Sequence, residues 1–231
     1  MRVLVTRPEP VAAQTAERLE VMGHEAVVVP LSKVEPVEAA VPSVTDFDAV
    51  AATSANAVRS ASPELLEAVS SLRCFAVGDR TAGAARIAGF ESVRSAGGDV
   101  YDLAALIGSE LKTGGRVLYL CGERRRPVLE EILADTRLSV TPLETYRIAA
   151  VTYDAIELER LFATGPIDAV LVYSRYGAEL LSGFLGDREG MRILCMSRQV
   201  AEGLSHSLRK SAEIASATTE DGLIALLGRA P

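Results

Sequence analysis

Polar residues follow nearly every apolar stretch that the sequence predicts to be a β-strand. In doubly wound α/β sheets, ligands sit beyond the carboxyl ends of the strands, so these positions come first when function is considered. Hydroxyls, arginines and the free backbone N–H groups of helix starts would together bind several anionic groups. The segments are Thr6-Arg7, Thr53-Ser54-Ala55-Asn56, Gly78-Asp79-Arg80-Thr81, Gly122-Glu123-Arg124-Arg125-Arg126, Tyr173-Ser174-Arg175-Tyr176-Gly177 and Ser197-Arg198-Gln199.

Helix capping is the alternative role for the hydroxyl groups among these residues. Ser and Thr are preferred N-cap residues, and Thr6, Ser54, Thr81 and Ser174 all stand where a helix could begin. Taken singly, each is more typical of a cap than of a ligand contact. Their recurrence at nearly every strand end favours a binding surface for the set. The arginine run at 124–126 is either a cationic helix start or a solvated stretch.

Familiar catalytic motifs are absent from the sequence. It has no Gly-x-Gly-x-x-Gly after a strand, no Walker loop, no zinc-ligand spacing and no Gly-x-Ser-x-Gly elbow. The only histidines are His24, in a predicted helix-to-strand turn, and His206, in a polar helix. We expect both rings to be solvated rather than to act as general bases. Binding and electrostatic groups are therefore present without an obvious acid, base or nucleophile.

The three cysteines are interpreted as small buried thiols. Cys74, Cys121 and Cys195 lie within or at the ends of apolar runs. Their spacing does not match a metal site, and we expect no disulfide and no bound metal.

The composition is that of a globular protein with an excess of acidic residues. The 231 residues are 48% hydrophobic and carry a net charge of −7, with a sequence pI near 5.0. This charge, the absence of Trp and the 5% aromatic content argue against nucleic acid as a partner. No run suits a membrane span, and the start from Met1 to Pro8 is too soon broken for a signal peptide. We expect a cytoplasmic monomer that acts on a small molecule.

Two sequence blocks each occur twice. Block a begins with Arg2-Val3-Leu4-Val5 and recurs as Arg116-Val117-Leu118-Tyr119. Block b begins with Asp48-Ala49-Val50 and recurs as Asp168-Ala169-Val170. The order along the chain is a, b, a′, b′. Two similar modules are therefore expected, with a cleft between them as the default place for function.

Apolar periodicity predicts about two strands in each a block and three in each b block. The strands are apolar throughout, as expected for a parallel sheet that is covered on both faces. One block of each kind therefore makes a five-stranded doubly wound α/β domain. Helix starts are predicted near Pro8, Ser62, Thr81 and Asp99, and Thr218 repeats the last of these in b′.

The blocks can pair in two ways, and periodicity does not choose between them. Tandem pairing would join a to b and a′ to b′. Crossed pairing would join b to a′ as a contiguous insert and close a onto b′ as a discontinuous domain. The connecting segments Ser32 to Glu38 and Tyr146 to Tyr153 are both β-prone, and crossed pairing would let them run side by side as a two-stranded hinge.

Several short strings occur in a characteristic order: Val3-Leu4-Val5-Thr6-Arg7-Pro8, Asp48-Ala49-Val50, Thr53-Ser54-Ala55-Asn56-Ala57-Val58, Ala76-Val77-Gly78-Asp79-Arg80-Thr81-Ala82, Gly89-Phe90 and Tyr146-Arg147. Each string alone is weakly specific. Together, over nearly the whole chain, they resemble the uroporphyrinogen-III synthase family. The resemblance implies an enzyme of tetrapyrrole biosynthesis that needs no cofactor. Such an enzyme converts linear hydroxymethylbilane to uroporphyrinogen III, with loss of water and inversion of the last pyrrole ring.

The resemblance also implies the crossed pairing. Residues 1–35 and 150–231 would form a discontinuous α/β domain, and residues 38–146 would form an inserted one. Segments near 32–38 and 146–153 would form a two-stranded linker, with the substrate held between the domains.

The substrate that the resemblance implies carries eight carboxylates, which suit the hydroxyl, amide and arginine groups described above. The expected binding residues are Arg7, Thr53, Ser54, Asn56, Gly78, Thr81, Arg124, Tyr173, Ser174 and Ser197. Tyr176 is the candidate for assisting departure of the substrate hydroxyl.

The second b block departs from the family pattern in two places. Family members often have Gly-Pro-Thr-Thr-Ala where this chain has Ser197-Arg198-Gln199-Val200-Ala201. A tyrosine often assigned to hydroxyl departure aligns here with Leu180. The departures support an alternative, a noncatalytic binding or sensor protein for a tetrapyrrole or other small polyanion. A nucleotide-dependent enzyme is disfavoured by the missing phosphate loops.

Overall fold

The chain forms two compact α/β units. In the computed structural model, which describes residues 1–186, 188 and 190–228, unit 1 comprises Met1–Lys33 and the chain from Ala149 on. Unit 2 comprises Val34–Ile148. Each unit is built on a mainly parallel sheet with helices packed against it, which confirms the predicted fold class.

The strands are β1 (Arg2–Val5), β2 (Glu25–Val28), β3 (Ser32–Pro36), β4 (Ala49–Ala52), β5 (Arg73–Ala76), β6 (Val93–Ser95), β7 (Arg116–Gly122), β8 (Ser139–Ala150), β9 (Ala169–Val172), β10 (Arg192–Cys195) and β11 (Ala212–Ile214). The helices are α1 (Val11–Val21), α2 (Ala55–Arg59), α3 (Pro63–Val69), α4 (Asp79–Ile87), α5 (Val100–Glu110), α6 (Val128–Asp135), α7 (Ala155–Ala163), α8 (Arg175–Leu185), α9 (Arg198–Ala201), α10 (His206–Lys210) and α11 (Glu220–Ile224). Short 3-10 turns lie at Val44–Asp46 and Ala225–Gly228.

The unit 1 sheet has the strand order β11-β10-β9-β1-β2. All of its neighbouring strands are parallel, with Val3 opposite Ala169 and Arg2 opposite Glu25. In terms of the sequence blocks, strands from a lie beside strands from b′. The first strand of the chain therefore occupies an inner position of this sheet.

The unit 2 sheet has the order β3-β8-β7-β4-β5-β6. Its pairs from β8 to β6 are parallel, with Ala49 opposite both Arg73 and Val117. Strands from b therefore lie beside strands from a′, in the same relative order as the blocks of unit 1. Strand β3 lies beside β8, and the unit boundaries at Lys33 and Ile148 fall within these two strands.

Both faces of each sheet are buried, which explains why the strands are apolar throughout. In unit 1, Leu4 packs in one core cluster, while its neighbours Val3 and Val5 pack in another on the opposite face. In unit 2, Ala51 and Val50 divide in the same way. Alternate side chains of one strand thus enter two cores, and a polar residue in mid-strand would be buried on either face.

Helix starts follow the predicted capping residues, with two shifts. Ser62 caps α3, and Asp99 forms a capping box with Asp102 at α5. The last helix is capped by Thr219, whose hydroxyl accepts from the Gly222 N–H at 3.1 Å, rather than by the predicted Thr218. Helix α4 starts at Asp79, before the predicted Thr81, and Gly78 is its N-cap residue.

Candidate functional site

The unit 1 edge consists of the residues just beyond the carboxyl ends of the adjacent strands β1, β9 and β10. It brings together Arg7, Tyr173, Ser174 and Ser197. Ser174 caps α8 by accepting from the Gly177 N–H at 3.0 Å, and Ser197 caps α9 by accepting from the Val200 N–H at 3.2 Å. Both serine oxygens therefore already have backbone partners.

Arg7 is engaged inside unit 1. Its guanidinium donates to Glu220 at 2.9 Å and to the Thr15 hydroxyl at 3.3 Å, and it lies over the Tyr173 ring at 4.0 Å from the centroid. Only 19% of the Arg7 side chain is exposed. A substrate carboxylate at this position would have to compete with Glu220 for the guanidinium.

Glu220 is the centre of this network, which we call the Glu220 cluster: Arg7, Thr15, Arg18, Tyr173 and Glu220. Its carboxylate accepts from Thr15 at 2.7 Å, Tyr173 at 3.2 Å and Arg18 at 2.8 Å, besides Arg7. Burial favours a higher pKa for Glu220, but the Thr15 hydrogen bond and the charges of Arg7 and Arg18 outweigh it, so the pKa is lowered. The cluster therefore contains an ionised carboxylate.

Tyr173 is a protonated donor in this cluster. Burial raises the pKa of its phenol to about 12, with the Glu220 charge contributing in the same direction. The phenol therefore stays neutral at physiological pH and donates to Glu220. This contact joins the end of β9 to the start of α11.

Tyr176 lies in the first turn of α8, two residues beyond the Ser174 cap, and is half-buried. Leu180, one turn further along the same helix, packs against the apolar cluster that includes Val170 and Leu181. The position that aligns with the family tyrosine is thus part of the core packing in this chain.

The unit 2 edge consists of the residues just beyond the carboxyl ends of the adjacent strands β7, β4 and β5. It brings together Thr53, Ser54, Asn56, Gly78 and Thr81, with Arg124 beyond β7. Ser54 caps α2 by accepting from the Asn56 N–H at 3.2 Å. Thr53, Ser54 and Asn56 are half-buried.

Helix α4 begins at this edge without a side-chain cap. Gly78 is its N-cap residue, and a methyl group added there would meet nothing within 4 Å. The first N–H groups of a helix have no partner within the helix and carry the positive end of its dipole. An anion could therefore approach this helix start directly.

Thr81 and Thr6 are not caps, so the capping alternative is wrong for these two residues. Thr81 is the third residue of α4 and is 5% exposed, and no hydrogen bond to its hydroxyl is found among the described residues. Thr6 is also buried, and its hydroxyl donates to the Leu171 carbonyl at 3.4 Å. The capping role is confirmed for Ser54 and Ser174.

Tyr119 lies within β7, contacts the unit 2 edge through Thr53 and was not among the predicted site residues. It is only 3% exposed, and its phenol oxygen lies 2.6 Å from the Thr53 hydroxyl. Burial raises the pKa of this phenol to about 12. The sequence carries one indication of it, because the matching position in the first a block is Val5, an ordinary strand residue.

The arginine run after β7 precedes α6, which starts at Val128. Arg125 pairs with Glu130 at 3.0 Å and with Glu144 at 3.1 Å, and only 23% of its side chain is exposed. Arg124 is exposed. The run therefore contains at least one structural arginine and is not itself the start of a helix.

The histidines lie away from both edges. His206 is exposed at the start of α10, as expected. His24 precedes β2 and is half-buried, and its Nδ1 atom has no hydrogen-bond partner in the described part of the chain. The expectation of a solvated ring is therefore wrong for His24.

The cysteines are buried and free, as the sequence predicted. Burial raises the pKa of Cys74 and Cys195 to about 12 and that of Cys121 to about 11. Across residues 1–186, 188 and 190–228, no three His, Cys, Asp or Glu side chains are grouped as metal ligands would be. Nor does this part of the chain contain a helix long and apolar enough to cross a membrane.

Fold and edges together define a two-unit α/β protein with hydroxyl, amide and arginine groups at the sheet ends. A family model described as uroporphyrinogen-III synthase HemD matches residues 13–225. The chain belongs to this family, whose members are enzymes that act on a small tetrapyrrole. The resemblance and the function that it implied in tetrapyrrole biosynthesis are thereby confirmed.

Solved structures support the fold. The uroporphyrinogen-III synthetase of Helicobacter pylori is 17% identical, with 98% of each chain covered and a TM-score of 0.69. A mutant uroporphyrinogen III synthase of Thermus thermophilus is 21% identical, with a TM-score of 0.53, over 99% of this chain and 96% of that one. No match was found among curated proteins.

Proposed function

We propose that the chain converts hydroxymethylbilane to uroporphyrinogen III as a hydro-lyase, closing the ring with inversion of the last pyrrole and release of one water. Family membership supports this activity. The structural observation that carries the proposal is the uncapped start of α4 beside the Thr53-Ser54 pair. Such a surface suits the carboxylates of the substrate.

The unit 2 edge would hold substrate carboxylates by directed hydrogen bonds. The first N–H groups of α4 follow Gly78, where an added methyl would meet nothing within 4 Å, and Thr81 lies in the same helical turn. Thr53 adds a second hydroxyl on the neighbouring strand end. Hydrogen bonds from such groups to a charged acceptor contribute about 1.5 to 3 kcal/mol each.

The chemistry requires positioning more than a strong acid or base. Loss of the substrate hydroxyl as water generates an electrophilic azafulvene carbon. The substituted carbon of the last pyrrole attacks this carbon, and rearrangement of the resulting spiro centre gives the inverted ring. Groups that hold the bilane in a folded conformation favour this attack over attack at the free carbon.

Tyr176 is the proposed residue for assisting hydroxyl departure. It is half-buried in the first turn of α8, close in sequence to Tyr173 and the Ser174 cap. The O–H group of a tyrosine can donate a hydrogen bond to the leaving oxygen as the C–O bond breaks. The residues of the unit 1 edge, Arg7 included, are proposed as further binding groups.

The test is incubation with freshly prepared hydroxymethylbilane, followed by chromatographic separation of the type III and type I products. Uncatalysed closure gives type I, so enzyme-dependent formation of type III supports the proposal. Formation of type I only, by folded protein, would contradict it.

A noncatalytic tetrapyrrole-binding protein is the second candidate, and one observation favours it. Leu180 lies in the core cluster where the family tyrosine would stand. In that case the chain should bind the substrate without changing the ratio of type III to type I product.

A further inference from the structure

We propose that Tyr119 is a positioning residue that orients the Thr53 hydroxyl toward a substrate carboxylate. This inference rests on the proposed function of the unit 2 edge. The phenol oxygen of Tyr119 lies 2.6 Å from Thr53 Oγ1, and either atom could be the donor on distance alone. The direction of this hydrogen bond decides what Thr53 can do.

Burial of Tyr119 determines the direction. The side chain packs in the apolar cluster of Ala51, Phe75 and Leu103, and the residue is 3% exposed. Its phenol oxygen has no hydrogen-bond partner other than Thr53 among the described residues. If Thr53 donated, the phenol proton would be buried without an acceptor, which is costly. Tyr119 therefore donates and Thr53 Oγ1 accepts.

Burial keeps the phenol of Tyr119 in the donating form. Burial is the main cause that raises its pKa, and the nearby carboxylate of Glu130 acts in the same direction. Tyr119 thus remains protonated throughout the physiological range. A phenolate, which could only accept a hydrogen bond, does not form.

The direction of this hydrogen bond determines what the Thr53 hydroxyl can offer to a ligand. Thr53 directly follows β4 and is half-buried, whereas the phenol that it contacts belongs to a buried residue. Since its oxygen accepts from Tyr119, its own proton is available for an acceptor outside the protein. A hydroxyl that accepts one hydrogen bond is also polarised into a better donor for the next. The acceptor that matches is a substrate carboxylate.

Removal of the Tyr119 hydroxyl should have different effects if its role is structural and if it positions Thr53. A purely structural role for Tyr119 would affect the melting temperature and leave the kinetics of the folded protein unchanged. A positioning role should raise KM for hydroxymethylbilane with little change in kcat, because the carboxylate is bound in both ground and transition states.

The experiment is a double-mutant cycle of Tyr119→Phe and Thr53→Val, with kcat, KM and melting temperature measured for each protein. We expect Y119F to raise KM about threefold to tenfold, as loss of one oriented hydrogen bond would. In the T53V background, Y119F should change KM less than about twofold, because Tyr119 acts only through the hydroxyl. Thr53→Ser keeps that hydroxyl, so the effect of Y119F should persist in it.

Two results would overturn the inference: an unchanged KM in folded, active Y119F, or an effect of Y119F that is equally large in T53V. The same cycle, measured as Kd for uroporphyrin, separates this inference from the proposed function. If wild-type protein binds uroporphyrin but makes no type III product, the proposed function fails, and the Kd values still decide the role of Tyr119.

Discussion

The two sheet edges have the same strand order but use their polar groups differently. At the unit 1 edge, Arg7 and Tyr173 are bound to Glu220, and Ser174 and Ser197 cap helices. At the unit 2 edge, α4 begins without a side-chain cap, and the Thr81 hydroxyl has no partner among the described residues. Ser54 also caps a helix at the unit 2 edge, and Thr53 is bonded to Tyr119, so the difference between the edges lies in the start of α4 and in Thr81.

The difference shows that residue type at a strand end does not determine its role. Arginine after β1 and threonine after β4 are equally plausible anion ligands from the sequence. In the structure, the charge of Arg7 is already neutralised by Glu220, which lies 213 residues away in the sequence. Mutations can test whether the unit 2 edge contributes more to substrate binding than the unit 1 edge does.

The largest effect is expected from Glu220→Gln, which removes the charge at the centre of the Glu220 cluster. Arg7 would lose its carboxylate partner and Arg18 one of its two, and we expect the free energy of unfolding to fall by roughly 2 kcal/mol. For a chain of this size, that lowers the melting temperature by about 4 to 8 °C. Asp221→Asn, at a carboxylate that also pairs with Arg18 but is 84% exposed, is the control and should change it little. Equal shifts in the two variants would contradict a central role for Glu220.

Acid should remove the same stabilisation in the wild-type protein. The folded pKa of Glu220 is below the unfolded value of 4.5, so its contribution is complete above the unfolded pKa. It is lost as the pH falls through the folded pKa. The melting-temperature difference between wild type and E220Q should therefore stay constant from pH 7 to about 5 and shrink below that. A difference that is as large at pH 3 as at pH 7 would show that charge is not its cause.

Gly78→Ala tests whether the start of α4 is a binding surface. Gly78 has an extended backbone that any residue adopts, and an added methyl meets nothing within 4 Å, so stability should hardly change. If a carboxylate approaches the N–H groups there, the methyl obstructs it, and kcat/KM should fall about tenfold, or about 1.4 kcal/mol.

Gly83→Ala is the matched control on the same helix. An added methyl there also meets nothing within 4 Å, but it lies inside α4. We expect stability to rise by roughly 0.5 to 1 kcal/mol, with kinetics unchanged. If both variants show wild-type kinetics, the uncapped helix start does not bind substrate.

Thr81→Val sharpens the comparison, because the change removes a hydroxyl while keeping its shape. Since Thr81 does not cap α4, we expect a melting temperature within about 2 °C of wild type and a loss in kcat/KM of about fivefold. Loss of stability with unchanged kinetics would place Thr81 with the structural residues.

The smallest effect is expected from Tyr176→Phe. With no single acid or base required, loss of one hydrogen bond to the leaving oxygen should lower kcat about twofold to fivefold, with type III product still formed. Complete loss of type III product in folded Y176F would show that one group dominates the chemistry.

The strands and their arrangement in blocks could be predicted because both sheets are buried on both faces. Short, fully apolar runs such as Ala49–Ala52 and Ala169–Val172 are typical of strands that are buried on both faces of a sheet. Their repetition predicted two similar units. Helix starts were predicted correctly at Ser62 and Asp99, where a side chain does the capping, and were missed by one residue at Thr219. The early start of α4 was missed because its cap residue is a glycine without a capping side chain.

The partners of the site residues could not be predicted. Nothing near Arg7 in the sequence indicates that Glu220 would neutralise it, since the contact depends on the tertiary fold. Tyr119 was overlooked for a similar reason. Its position in an apolar strand predicts burial, but the reach of its phenol to Thr53 depends on the register of β7 against β4.

The inner position of β1 has a consequence for synthesis on the ribosome. Its neighbour β9 follows 166 residues later, so β1 and β2 emerge long before their sheet can form. Unit 2 is contiguous and can fold during that interval. Meanwhile the backbone N–H and C=O groups of β1 have no partner strand on the β9 side. Protease treatment of ribosome-bound chains, stalled once unit 2 has left the ribosome but before β9 has done so, should therefore find unit 2 resistant while the segment before it is still cut. The unit 1 sheet therefore forms only when the later-synthesised strands from β9 onward pair with β1.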